Sequence, residues 1–174
     1  MNQATSNTIP FSLNARLDEF RRLLLLALPK IEQEWLWTQP NAHIPSIGVQ
    51  LTHMQGNLTQ YIVVNLSSSL IESNSAKQAY GAYQRQRTQE FDVRSTVSLE
   101  ALAAPLLDQI QRASALIKQV SSRVWSEDYH VQTFSMTRLE ACVHGIEHLN
   151  YHLGQIALLI KYYAPQDLKF YPYI

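Results

Sequence analysis

The apolar positions in the first part of the chain, Leu13, Leu17, Phe20, Leu24, Leu28, Ile31 and Trp35, recur at helical intervals of three and four. That spacing predicts an amphipathic helix with one face in a core. Pro29 lies inside the run and predicts a kink or a detached last turn. The polar residues 1–10, ending in Pro10, read as a frayed arm. Residues 38–45 read as a loop, and Ser46, after Pro45, reads as the N-cap of a second helix. Ile47, Leu51, Met54, Leu58 and Ile62 lie on one face of that helix, which is expected to fade through the Ser- and Asn-rich stretch 67–75. Residues 74–97 hold no sustained period and carry Arg85, Arg87, Glu90, Phe91 and Arg94. A connection this long in a compact domain is often functional. Ser98 is placed to cap a third helix bearing Leu99, Leu102, Leu106, Ile110, Ala113, Ile117 and Val120, in which Pro105 calls for a late start or a bend. A second connection, 121–136, leads to a fourth helix from about Met136 or Thr137 to Tyr163, just before Pro165. Its apolar face is read as Leu139, Val143, Ile146, Leu149, Leu153, Ile156 and Ile160. The aromatic tail, 165–174, is expected to pack onto the helices.

No strand pattern stands out. The expectation is an all-α chain, most simply a four-helix bundle, in a single domain over residues 1–174. The length of 174 residues agrees with one domain that builds its own core.

Composition sharpens this picture in three respects. Lys plus Arg and Asp plus Glu number 14 each, and no basic stripe is present, which argues against a nucleic-acid partner. Charged residues make up 16%, against about 25% in an average chain. The neutral or apolar surface this implies favours an oligomer. The longest apolar run, Leu23–Leu28, is far short of a membrane span, so the chain reads as cytoplasmic and membrane-free. The sequons at Asn57 and Asn65 are accordingly read as chance. The single cysteine, Cys142, excludes an internal disulfide or a CxxC site. It lies two residues from His144, about 200° round the helix, and reads as buried and inert.

Three of the six histidines, His144, His148 and His152, fall within nine residues on the fourth helix. Residues four apart are offset by about 40° and stand one above the other, so His148 and His152 can direct their imidazoles at one ion. His144 continues the row but lies about 80° and 12 Å from His152, too far to share that ion. His53, at the edge of the second helix's apolar face, is the natural third ligand. The same spacing is compatible with hydrogen-bonded core histidines, and spacing alone does not choose between the two.

The segment His144-Gly-Ile-Glu-His148-Leu-Asn-Tyr-His152-Leu-Gly154-Gln155-Ile156 resembles the last-helix signature of the DinB-like (DinB/YfiT-like) superfamily, in which two histidines four apart precede Gly-Gln-Ile. His53-Met-Gln-Gly56-Asn57 is similar to the family's second-helix motif. Arg85-Gln-Arg87-Thr-Gln-Glu90-Phe91 is similar to a segment of one uncharacterised branch. The resemblance spans roughly residues 12–163. It implies an up-down-down-up four-helix bundle, often a homodimer, with a divalent metal, commonly nickel or zinc, held by three histidines. Carried over position by position, the ligands become His53, His148 and His152. His144 becomes a neighbour of the ligands, and Gln155 and Asn57 become candidates to hydrogen-bond them. Family members of known activity include thiol-dependent S-transferases and a maleylpyruvate isomerase.

Three imidazoles leave a coordination position open, at which water or a thiol can be activated. The leading expectation is therefore a metal-dependent transferase using a small thiol cosubstrate, with a hydrolase as a second enzymatic possibility. The alternatives are a non-enzymatic metal- or small-ligand-binding stress protein and a purely structural dimer. Arg85, Arg87 and Glu90 are read either as closing over the site or as a salt-bridged connection that docks Phe91 in the core. Gly-rich phosphate loops, a GxSxG elbow and a glycosidase-type carboxylate pair are absent from the sequence.

Overall fold

A computed structural model describes residues 8–70, 85–91 and 96–171. Helix α1 (Thr8–Ala27) buries Leu13, Leu17, Phe20, Leu23 and Leu24, as their period requires. It begins ahead of Pro10, so residues 8–10 are helical rather than part of an arm. Proline is tolerated in a first turn because the N–H it lacks has no intrahelical acceptor there. At Pro29 the helix tightens into a single 3₁₀ turn, Leu28–Lys30, and then ends. Ile31 and Trp35 are therefore not helical, contrary to the periodic reading. They are buried all the same, from the loop that follows.

Helix α2 (Ile47–Leu58) is capped by Ser46, whose Oγ accepts from the Val49 N–H at 3.3 Å. It runs on through a π-helical turn, Thr59–Val64, into α3 (Asn65–Leu70). Side chains compensate the widened turn: the Gln60 carbonyl accepts from the Tyr129 hydroxyl at 2.9 Å, and the Tyr61 carbonyl from Asn65 Nδ2 at 3.1 Å. The fading expected over 67–75 can be followed only to Leu70, because 71–84 lie outside the described residues. A short helix, α4 (Arg87–Phe91), occupies the long connection. Helix α5 (Leu99–Gln119) starts at its Ser98 cap and carries Pro105 in its interior. Helix α6 (Arg138–Tyr163) opens with a capping box: Thr137 accepts from the Glu140 N–H, and Glu140 reaches back to the Thr137 N–H.

The connection before α6 departs from the all-helical reading. It contains a 3₁₀ turn, Ser122–Ser126, and an antiparallel hairpin of β1 (Asp128–Val131) and β2 (Phe134–Thr137). The hairpin docks against α6 through Val131, which packs with Tyr61 and Ala141.

Helices α1 and α2 each pack on both α5 and α6. The shared core is built from Leu17, Phe20 and Leu24 of α1, Met54 and Leu58 of α2, Leu106 and Ile110 of α5, and Leu149, Leu153 and Ile156 of α6. Each such side chain contributes about 1.5–3 kcal/mol by leaving water. Val143, expected on the apolar face of α6, is 39% exposed. The described part of the tail, 165–171, folds back, with Leu168 buried and Phe170 packed on the core, while Trp35 stacks on Tyr163 at the end of α6 at 5.2 Å between ring centroids. Among the described residues, no helix is long and apolar enough to cross a membrane.

Candidate metal centre

The helical period of α2 places His53 on the face that meets α6, and the i, i+4 step of α6 brings His148 and His152 opposite it. Helix α6 lies close to the π-helical turn that continues α2 at Gly145, where a Cβ would lie 3.1 Å from Ile62 Cγ1 and 3.2 Å from Tyr61 Cβ. One ligating nitrogen from each of His53, His148 and His152 lies within 4.8 Å of the others. The ring centroids are 4.9 Å apart for His53–His148 and for His53–His152, and 4.6 Å for His148–His152. His53 and His152 are buried, and His148 is partly so.

The donor set fits a divalent ion. His53 Nε2 stands 3.2 Å from His148 Nε2. Two nitrogens each about 2.0–2.1 Å from one tetrahedral ion are about 3.3 Å apart. His152 Nδ1 is 3.3 Å from Gln50 Oε1, and the Gln50 amide is oriented by donating to the Pro45 carbonyl at 3.2 Å. His152 Nε2 is thus the nitrogen left for a ligand role. Burial, then the neighbouring His152 and His53, pushes the His148 imidazole down to about 3. Burial and His53 push His152 down to about 4, with a hydrogen bond to Gln155 pulling the other way. Both are therefore neutral at physiological pH, the state in which imidazole binds metals.

The other expected site residues fall into place unevenly. His144 is exposed and lies outside the cluster, with its ring 4.5 Å from Tyr61 and 5.9 Å from His148. Gln155 lies three residues after His152 on α6, half-buried, and acts to raise the pKa of His152. Asn57 is 1% exposed, and its Oδ1 has no hydrogen-bond partner among the described residues, a histidine included. The histidines have two further partners: Gln50, which the sequence reading does not single out, and Glu90, which it reads only as closing over the site or as part of a salt-bridged connection. Gln50 precedes His53 by one helical turn on the same face, a spacing that signals a neighbour. Glu90 comes from α4: its Oε2 lies 2.8 Å from His53 Nδ1, and Arg85 Nε donates to its Oε1 at 2.6 Å. Burial raises the Glu90 carboxyl, but hydrogen bonds from His53 and Arg85 outweigh it and hold it below the usual range. Arg87 is exposed, and Phe91, expected in the core, is 45% exposed with its ring 5.0 Å from that of His53. Cys142 is buried as expected, and burial pushes its thiol up to about 12.

The sequence model of the DinB family matches residues 1–165. The chain belongs to the DinB family. A crystal structure of a protein from Streptococcus pneumoniae resembles this DinB-family chain with a TM-score of 0.64, over 87% of this chain and 90% of that one. At 15% identity the likeness is one of fold. No curated protein matches the chain.

Proposed function

We propose that this DinB-family chain holds one divalent ion, nickel or zinc, through His53, His148 and His152, and uses it in a transfer reaction with a small thiol cosubstrate. The observation that carries the reading is the convergence of three imidazoles from α2 and α6 within 4.8 Å, with His148 and His152 held neutral by burial. When bound, such an ion supplies positive charge that lowers the pKa of a thiol or water brought to its open position. The chain's own part is to present lone pairs, hold His148 and His152 neutral, and keep Gln50 behind His152 and Glu90 behind His53. No buried thiol of the protein competes, since Cys142 is turned into the core against Asn65.

The reading includes a single up-down-down-up four-helix bundle over 1–174, working as a cytoplasmic homodimer. The packing of α1 and α2 on both α5 and α6 supports the bundle. Tyr151, Leu158 and Tyr162, exposed along one stripe of α6, support a second copy on that helix.

The test is a panel of low-molecular-weight thiols and an electrophile, assayed with nickel- or zinc-loaded wild type and with His148→Ala. Thiol-dependent turnover lost in the variant is the expected result. Stoichiometric metal without turnover of any thiol in the panel would favour a binding protein instead.

A further inference from the structure

Resting on the metal-site reading, we propose that Glu90, clamped by Arg85, is the positioning residue of the site: it fixes the proton of His53 on Nδ1 and so aims the Nε2 lone pair at the ion.

A neutral imidazole carries one N–H, and whichever nitrogen holds it is lost as a ligand. At His53 two groups approach Nδ1: Glu90 Oε2 at 2.8 Å and Arg85 Nη2 at 3.0 Å. The proton count decides between them. Arg85 Nη2 has two hydrogens and two better acceptors, the His53 carbonyl at 3.0 Å and Glu90 Oε2 at 2.8 Å. Both hydrogens are used, and Nδ1 is left to donate to Glu90. The lone pair then resides on Nε2, the nitrogen 3.2 Å from His148 Nε2.

The clamp is built to hold this arrangement. Arg85 binds Glu90 through both Nε and Nη2, a bidentate fork that fixes the carboxylate plane. Gly56, one turn beyond His53 on α2, is where the pair rests. A Cβ there would collide with Glu90 Oε1 and come within 2.9 Å of Arg85 Nε. The Gly three residues after the histidine therefore has a physical role: it lets a carboxylate and a guanidinium lie against the helix backbone. Phe91 packs against the His53 ring and limits its rotation. The three imidazoles are not equivalent in this respect. His53 has an ionised carboxylate behind it and His152 an uncharged amide, while His148 Nδ1 is buried and has no hydrogen-bond partner among the described residues. A carboxylate partner also makes an imidazole a better donor, and losing such partners typically lowers metal affinity about 10–100-fold.

The rival account is that Arg85 and Glu90 merely fasten residues 85–91 to α2. The two differ in the tautomer of His53, which long-range ¹H–¹⁵N spectra read directly in the metal-free protein and in a zinc titration. In metal-free wild type, His53 is expected to be protonated on Nδ1. In Glu90→Ala the proton is expected to shift towards Nε2, with zinc affinity falling about 10–100-fold and the far-UV circular dichroism unchanged. Protonation of wild-type His53 on Nε2 would overturn the proposal even if the variant failed to fold. So would weaker zinc binding by Glu90→Ala with the tautomer unchanged, which would leave Glu90 a purely electrostatic part. If wild type takes up no zinc, the metal reading falls, while the tautomer measurement still judges the link from Glu90 to His53.

Discussion

His53 Nε2 and His148 Nε2 face each other at 3.2 Å across the α2–α6 contact, although the residues are 95 positions apart in the chain. Two imidazole lone pairs cannot share that distance without a proton or a cation between them. A cation that satisfies both binds the folded state more tightly than the unfolded chain, whose histidines are not convergent, and so stabilises the fold. At a free metal concentration 100 times its dissociation constant, the gain is about 2.7 kcal/mol. For a domain of this size that corresponds to a melting temperature higher by about 5–10 °C. The expected result is such a rise with nickel or zinc, reversed by a strong chelator, in differential scanning fluorimetry. No shift with either ion would count against the site.

The metal-free protein should be acid-labile. Burial holds His148 at about 3 and His152 at about 4 in the folded state, whereas an unfolded histidine titrates near 6.5. Between those values the unfolded chain binds more protons, so stability is complete above about pH 6.5 and falls as the pH drops towards 4. Glu90, lowered in the folded state, acts in the same direction at lower pH, being stabilising above about 4.5 and lost below. Urea midpoints of the metal-free protein should therefore decline steadily from pH 7 to pH 4, less steeply in His148→Ala. A flat profile over that range would contradict the assigned environments.

Gly48 seats an aromatic ring. A Cβ at this position would lie 2.6 Å from Trp37 Cζ3, and Trp37 is itself tethered by its Nε1 donating to the Val97 carbonyl at 2.9 Å. Gly48→Ala should destabilise by about 1–3 kcal/mol, overpacking outweighing the better helix propensity of alanine. Equilibrium unfolding in urea measures this, and a stabilised variant would show that the ring is free to move.

The proposed dimer places Leu158, 68% exposed on α6, in an interface. Leu158→Glu is expected to convert a dimeric wild type to monomer in sedimentation velocity, with metal uptake retained. A monomeric wild type would remove this part of the account.

How far these features were legible varied with the physics behind them. The long helices follow from periodic apolar positions, and the caps Ser46, Ser98 and Thr137 lie at or near their starts because a side-chain oxygen there satisfies an otherwise unpaired N–H. Pro29 signals a kink or a detached last turn, whereas the helix ends there after one 3₁₀ turn, and the loop that follows still buries Ile31 and Trp35, because burial does not require helix. The hairpin was missed: its strands are four residues each, and the turn at Gln132-Thr133 lacks the Gly or Asn that marks such turns. Gln132 nevertheless adopts a φ of 55° and donates to Gln60 Oε1 at 3.2 Å, a contact visible only in three dimensions. The histidine cluster was legible because i, i+4 spacing on one helix is geometry. Its support by Glu90 was not, since that contact joins residues 37 apart through a connection with no period.

The most direct test of the central claim is the metal content of tag-free protein after exposure to nickel or zinc and gel filtration, compared across wild type, His148→Ala, His152→Ala and His144→Ala. The account predicts about one ion per chain in wild type and in His144→Ala, as the three-imidazole geometry requires, and none retained by the other two variants. Wild type without bound metal, or His148→Ala and His152→Ala with undiminished content, would contradict it.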